Sequence, residues 1–356
     1  MGLQIGEIIP KKQIQFSDLR GKTIAVDAFN AIYQFLTTIR QPDGTPLKDS
    51  KERVTSHLSG LFYRNMNLIS EGVKLIYVFD GEAPELKNKT HEKRKEAKDA
   101  MKEKYEKAVK EEDISGMGKY SRANVKLDEE KIKESKELLK AMGIAVVQAP
   151  GEGEAQASSI VKESRDIYAV ASQDYDCLMF GAPLLIQNLG MARRRKTISG
   201  YVEIFPQVIE LDKVLKELDI NQEQLICLGI ICGTDYNPGG IKGLGPKKSL
   251  GIVKEYKTKE KIFDAIKTEE KFGKLRTGSA SFNAEGHIDF DWKEIYNEIE
   301  KPNVNKKVKI EFPKIDKENI RKILMKHDFS EERIGNQLAK LDEVKKARAQ
   351  KTLFTF

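Results

Sequence analysis

One pattern recurs four times in this chain: an apolar run gives way to carboxylates. KTIAVDAF (22–29) carries Asp27 at the end of its apolar run, and VKLIYVF (73–79) runs into Asp80 and Gly81. AVVQAPG leads to Glu152 and Glu154, and IYAVAS leads to Asp174 and Asp176. Short runs rich in β-branched and aromatic residues, bounded by Gly, Pro and Asp, predict buried strands. Between them, NAIYQFLTTI, residues 51–70 and EAQASSIVKES space their apolar residues as helices do. Strands alternating with helices predict an α/β fold with a mixed or parallel central sheet. In such a sheet the strand ends and following helix starts line one crevice. A single strand-end Asp reads equally as a helix cap or turn residue, but caps draw on Ser, Thr, Asn and Asp together. Four elements that all end in carboxylates imply a shared need for negative charge. Carboxylates facing one crevice repel unless cations lie between them, and hard divalent ions such as Mg²⁺ or Mn²⁺ take oxygen ligands.

The rest of the chain is organised around that crevice. Residues 85–113 are packed with Lys and Glu and have almost no apolar stripe. On its own this is a solvated helix stitched by i,i+4 pairs. It starts just after Asp80, however, and Lys87 and Arg94, seven apart, share a helical face that can reach a phosphate. SGMGKYSRAN (115–124) reads as a flexible cap, and 128–142 as an amphipathic helix. The apolar helix 222–233 delivers a seventh carboxylate, Asp235. In GGIKGLGPKKSL, Gly243, Gly245 and Pro246 make a turn before Lys247 and Lys248. This is either a plain interhelical turn or a helix-hairpin-helix gripping a nucleic-acid backbone without reading its sequence. It lacks P-loop spacing, which excludes that mode of nucleotide binding. Arg193 to Lys196, between strand-like LLIQNL and YVEIF, form either a solvated hairpin or a backbone contact. Trp292 reads as core, and the apolar tail Leu353, Phe354 and Phe356 as a docking peptide.

The charge balance narrows the partner. Sixty-two Lys and Arg exceed 55 Asp and Glu for a net +7, which suits a polyanion. The three cysteines lack metal-ligand spacing and read as buried reduced thiols, and the four histidines form no zinc motif. No signal peptide or apolar span of membrane length is present, so an intracellular protein is expected. Seven carboxylates, Asp27, Asp80, Glu152, Glu154, Asp174, Asp176 and Asp235, fit phosphodiester hydrolysis assisted by two metal ions. Nothing resembles a protein nucleophile beside a base, which leaves water as the nucleophile.

At VDAFNAIYQFL, VFDGEAPELK, APGEGEAQAS, ASQDYDCLMFG and ICGTDYN followed by GIKGLGPKKSL, the chain resembles the archaeal-type flap endonucleases of the XPG/RAD2 family of structure-specific 5′ nucleases, nearly end to end. The resemblance implies a PIN-like sheet with a helical arch over about 82–130 and a helix-two-turn-helix over 226–256. It implies a nuclease core spanning 1–330, with an N-terminal region 1–98 and an internal region 116–258, then a C-terminal helix and tail (331–356). The family's seven metal carboxylates fall on the seven named above, for two Mg²⁺ with Mn²⁺ as a substitute. Its catalytic Lys and Arg fall on Lys87 and Arg94, and its base-stacking Tyr on Tyr33. Further DNA contacts are implied at Gly2, Glu152, Gly233, Asp235, Gly243, Gly245, Lys247 and Lys248. A K⁺ is implied at the carbonyls of Gly240, Ile241 and Leu244. The tail resembles the box that binds the sliding clamp PCNA, with Gln350, Leu353 and Phe356 in place and the second terminal aromatic absent. The implied substrate is branched DNA with a 5′ flap, cut endonucleolytically and by 5′–3′ exonuclease action in Okazaki-fragment maturation and long-patch base excision repair. The implied protein is monomeric when free and works at replication and repair sites, in the cytoplasm if the source is archaeal. Three readings compete: a related 5′ exonuclease or gap- or bubble-directed nuclease, a PIN-like RNA endonuclease, and a non-catalytic clamp- or DNA-binding scaffold.

Overall fold

The computed structural model describes residues 3–87, 99–101, 103–104, 107, 125–191, 193–197, 200–268, 272 and 288–353. A seven-stranded sheet forms its centre, in the order β1-β9-β6-β5-β2-β3-β4. Five strands run parallel: β6 (Leu184–Gln187), β5 (Ala169–Ala171), β2 (Thr23–Asp27), β3 (Lys74–Phe79) and β4 (Ala145–Gln148). The strand β9 (Gln207–Glu210) adds antiparallel to β6, and β1 (Lys12–Gln13) antiparallel to β9, so the sheet is mixed.

Alternation along the strands builds two cores. Ala25, Ile76, Val78 and Val170 face one side; Ile24, Val26, Leu75, Tyr77, Phe79 and Ala169 face the other. The first face is covered by α4 (Gly153–Glu163), the short α5 (Asp176–Met179), α7 (Gln222–Cys232), α8 (Pro246–Tyr256), α9 (Lys259–Thr268) and α10 (Trp292–Glu300). The second is covered by α1 (Ala28–Thr38), α2 (Ser56–Glu71), α3 (Glu129–Ala141), α11 (Lys317–Met325) and the start of α12 (Glu331–Leu353). Trp292 is core, as expected, stacked on Phe263 with ring centroids 4.3 Å apart. Cys177 and Cys227 are buried free thiols and Cys232 is half-buried. Among the described residues no helix is long and apolar enough to cross a membrane. Helix α6 (Leu211–Leu218) follows β9, and β7 (Arg194–Thr197) pairs with β8 (Gly200–Glu203) as a separate hairpin.

One detail differs from the sequence reading and another is left open. Helix α2 starts at Ser56 rather than 51, because the Asp49 carboxylate accepts hydrogen bonds from the backbone N–H groups of Lys51 and Arg53 and closes a turn there. Lys87 ends a short 3-10 turn, Glu85–Lys87, and Arg94 lies outside the described residues, so their shared helical face is not described. Most of the expected arch, with the 115–124 segment, also lies outside them.

The strand order fixes where a site can form. From β2 the chain moves outward through β3 to β4, then returns to place β5 on the other side of β2. That reversal opens a crevice at the carboxyl ends of β2 and β5, the usual ligand position in an open α/β sheet.

Candidate active site

Asp27 stands at the end of β2, beside the reversal, and caps α1 by accepting the Asn30 N–H at 3.1 Å. Across the crevice, Ser172 at the end of β5 donates its hydroxyl to Asp27 Oδ2 at 3.1 Å and accepts the Asp174 N–H at 3.1 Å. The Asn30 side chain accepts the Gln173 N–H at 3.1 Å. These bonds stitch the two strand ends together and set Asp174 opposite Asp27. Asp176, first residue of α5, has its N–H 3.3 Å from Asp174 Oδ1.

The β3 and β4 exits are tied in the same way. Gln148 donates from Nε2 to the Asp80 carbonyl at 2.6 Å, and Gly81 donates to the Gly151 carbonyl at 2.6 Å. Glu152 immediately precedes α4, and the Gly153 N–H donates to Asp80 Oδ1 at 2.7 Å. A Cβ on Gly153 would fall 2.4 Å from that Asp80 oxygen, so only glycine lets the helix start come this close. The last carboxylate, Asp235, follows α7. Its turn is fixed by Asn237, which accepts from the Thr234 N–H and hydroxyl and donates to the Ile230 carbonyl at 2.7 Å.

A groove of about 720 Å³ takes in Asp27, Asp80, Glu152, Glu154, Asp174 and Asp235, with Lys87 on its wall and Tyr33 along α1. Asp176 lies beneath: one oxygen from each of Glu154, Asp174 and Asp176 lies within 4.8 Å of the others. All seven sequence-selected carboxylates therefore converge on one region. They do not group by sequence neighbourhood, however. Glu154 stands with Asp174 and Asp176, whereas Glu152 turns to Tyr236 and Lys87, because neighbouring residues at the start of a helix point about 100° apart per position. Lys87 Nζ pairs with Glu152 Oε1 and lies 3.7 Å from Asp235 Oδ2.

The electrostatics are those of crowded, dehydrated acids. Burial, then the Asp80 charge, raises Asp27 to about 7. Burial raises Asp80 and Asp174 above the ordinary carboxyl value, with Asp235 adding to both. Glu154 and Asp176 rise well above it, again from burial first and then from neighbouring carboxylates. Among the described residues, the buried Asp176 Oδ1 has no hydrogen-bond partner. An all-oxygen set that repels itself and leaves a buried oxygen unsatisfied fits hard divalent cations.

Sequence reasoning missed the polar side chains that orient these acids. Tyr236 donates its hydroxyl to Glu152 Oε2, and burial pushes its phenol above the usual value, keeping it a donor. Ser172, Asn30 and Gln148 were also missed; their only signal is adjacency to a selected carboxylate or strand end.

The other selected residues lie elsewhere. Gly243 and Gly245 form the turn before α8, where Pro246 is the first helical residue and Lys247 and Lys248 are exposed. Gly233 and Gly240 have positive φ (103° and 54°) and approach so closely that a Cβ on Gly233 would sit 2.5 Å from the Gly240 nitrogen. Gln350 and Leu353 fall in the last turns of α12; Gly2 and Phe356 lie outside the described residues.

Comparison with known proteins identifies the family. The XPG N-terminal domain profile matches residues 3–101 and the XPG I-region profile matches 143–235. Flap endonuclease 1 of Thermococcus onnurineus is 47% identical over 357 residues, covering 99% of this chain and 98% of that protein. The Pyrococcus furiosus flap endonuclease 1 is 48% identical over 357 residues, with the same two coverages. The solved flap endonuclease-1 from Methanococcus jannaschii superposes with a TM-score of 0.71 at 37% identity, covering 96% of this chain and 98% of that one. The catalytic core of Rad2 in complex with a DNA substrate shares the fold at 24% identity, with a TM-score of 0.68 over 95% of this chain and 97% of that one. With nearly half its residues identical to the Thermococcus and Pyrococcus proteins along almost its whole length, the chain belongs to the flap endonuclease 1 group of the XPG/RAD2 family.

Proposed function

We propose that this protein is a Mg²⁺-dependent, structure-specific nuclease that hydrolyses a phosphodiester of branched DNA near the junction of a 5′ flap with duplex, with associated 5′–3′ exonuclease action. The observation that carries this reading is the convergence of seven carboxylates, from five separate segments, on one groove, six lining it and Asp176 beneath. When bound there, two divalent cations supply Lewis acidity to a water and to the phosphate oxygens. Glu154, Asp174 and Asp176 would hold one, with Asp27 beside them; Asp80, Glu152 and Asp235 bear on the other.

The chain's own groups do the positioning. Lys87 brings a positive charge to the groove wall, within reach of a phosphate held over the acids; Arg94 adds a second charge from the arch. Tyr33, half-buried on the α1 side of the groove, offers an aromatic face to the base next to the scissile bond. Lys247 and Lys248, exposed at the start of α8, bind duplex phosphates through charge and the helix terminus without reading sequence. The α7–α8 pair acts as a helix-two-turn-helix, with K⁺ at the carbonyls of Gly240, Ile241 and Leu244. The tail residues Gln350, Leu353 and Phe356 dock on the sliding clamp. Okazaki-fragment maturation and long-patch repair are the processes that present such substrates.

The test is cleavage of 5′-flap, nicked, gapped and bubble DNAs side by side in Mg²⁺. Preferential cutting at the flap junction is expected; bubble or gap preference would assign a different branch of the family. Deleting 350–356 is expected to abolish clamp stimulation and leave basal cleavage intact, and unchanged stimulation would remove the tail from the account.

A further inference from the structure

Tyr236 occupies a position that none of the seven carboxylates explains. It is buried, its hydroxyl donates to Glu152 Oε2, and its ring centroid lies 5.2 Å from Lys87 Nζ. Lys87 in turn pairs with Glu152 Oε1. A single phenol therefore touches both a candidate metal ligand and the candidate phosphate-facing lysine. Its own placement is rigid. The Tyr236 N–H donates to Thr234 Oγ1 at 3.1 Å, and Asn237 locks Thr234 to the Ile230 carbonyl of α7.

We propose that Tyr236 is a positioning residue that fixes the Glu152 carboxylate through Oε2 and carries the Lys87 ammonium on its ring when that ammonium leaves Oε1. The proposal rests on the reading of Glu152 as a metal ligand. With Oε2 engaged by a buried hydroxyl, Glu152 presents Oε1 towards Lys87. A metal ion at Oε1 and the ammonium of Lys87 then compete for one oxygen. Two like charges cannot share it, so occupation by the ion displaces the lysine. The electron-rich face of Tyr236 keeps the displaced ammonium in the groove rather than losing it to solvent. Hydrogen-bonding partners of metal ligands act in this way, fixing ligand orientation, and their loss typically weakens metal binding about 10- to 100-fold.

The probe is Mn²⁺ alone, titrated into the full chain without DNA and read by electron paramagnetic resonance, with thermal unfolding of the metal-free protein in parallel. Tyr236→Phe keeps the ring and removes only the hydroxyl. It is expected to weaken the Glu152-dependent Mn²⁺ site about 10-fold while metal-free unfolding stays close to wild type. Lys87→Met is expected to tighten the same site by removing the competing cation. Tyr236→Phe with wild-type Mn²⁺ affinity would overturn the positioning role, and Lys87→Met with unchanged or weaker affinity would overturn the competition. Should Tyr236→Phe fail to fold, 4-fluorophenylalanine at 236 repeats the test with most of the hydroxyl's volume retained. Glu152→Gln separates the two readings. If it binds Mn²⁺ as wild type does, Glu152 is not a ligand and the ligand set falls. If it weakens binding while Tyr236→Phe does not, only the role of Tyr236 falls.

Discussion

Gln156 and Asn305 exchange two hydrogen bonds: the Gln156 Nε2 donates to the Asn305 carbonyl at 2.9 Å, and the Gln156 Oε1 accepts the Asn305 N–H at 2.7 Å. Gln156 is fully buried on α4, one turn beyond Glu152. Asn305 belongs to the extended stretch between α10 and α11, which also crosses Gly151, where a Cβ would lie 3.2 Å from the Asn303 carbonyl. A strap from far along the chain thus buttresses the turn that carries Glu152 and Glu154. Gln156→Leu leaves two backbone groups of Asn305 unpaired. It is expected to cost about 1–3 kcal/mol in urea unfolding, with faster amide exchange at 303–305. Unchanged exchange there would show that the strap is held by other contacts.

The approach of Gly153 to Asp80 gives a second prediction. In Gly153→Ala the new methyl meets Asp80 Oδ1 at 2.4 Å and the Val78 carbonyl at 3.1 Å, so Asp80 must shift. A displacement near 1 Å at a reacting centre costs about 100-fold in rate. Flap cleavage at saturating Mg²⁺ is therefore expected to fall by about that factor with folding preserved. Wild-type kcat would show that Asp80 tolerates the move.

Crowding of buried acids predicts a trade between stability and activity. Asp176 is pushed well above the usual carboxyl range by burial and then by Asp174 and Asp235, so its charge opposes folding at neutral pH when no cation is bound. Asp176→Asn is expected to stabilise the metal-free protein by about 0.5–2 kcal/mol and to abolish most cleavage. Adding Mg²⁺ should raise the melting temperature of wild type more than that of the variant. A destabilised metal-free variant would contradict the electrostatic account.

A second titrating cluster lies on the opposite face of the sheet. Glu134 of α3 lies 3.6 Å from His57 and 2.9 Å from His327, and His327 Nδ1 lies 3.2 Å from Asp49. Burial, ahead of the pull of Glu134, holds His57 below the usual 6.5. The unfolded chain therefore takes up a proton at this histidine before the folded chain does. Stability falls as pH drops through about 6.5. Burial opposes the charge of Glu134 and Asp49, yet His57 and His327 beside the first and Arg53 beside the second hold both below their usual values, Asp49 at about 2. Their contribution is present above the usual carboxyl range and is lost as pH falls further. Urea unfolding at a series of pH values is expected to show the first loss below about 6.5. In His57→Gln that first loss should disappear; a wild-type profile in the variant would place the titration elsewhere.

What was legible in the sequence was the chemistry carried by strand ends. Asp27, Asp80, Asp174 and Asp176 each follow an apolar run, and β-sheet geometry alone sends such positions to one edge. Glu152 and Glu154 follow AVVQAPG in the same way, and Asp235 was legible from the neighbouring helical pattern. The polar scaffold was not. Tyr236 lies 84 residues from Glu152, and Gln156 lies 149 from Asn305. Local patterning carries no signal for such pairs. The separation of Glu152 from Glu154 also escaped, since spacing in sequence gives no direction until the helix start between them is fixed by Gly153 and Asp80.

The most direct test of the central claim is single-turnover cleavage of a 5′-flap DNA in Mg²⁺ by wild type and Asp174→Ala, with product ends mapped. The account predicts a wild-type cut at the flap junction and a rate for Asp174→Ala lower by several orders of magnitude, with flap binding retained. Full cleavage by Asp174→Ala, or wild-type cutting away from the junction, would contradict it.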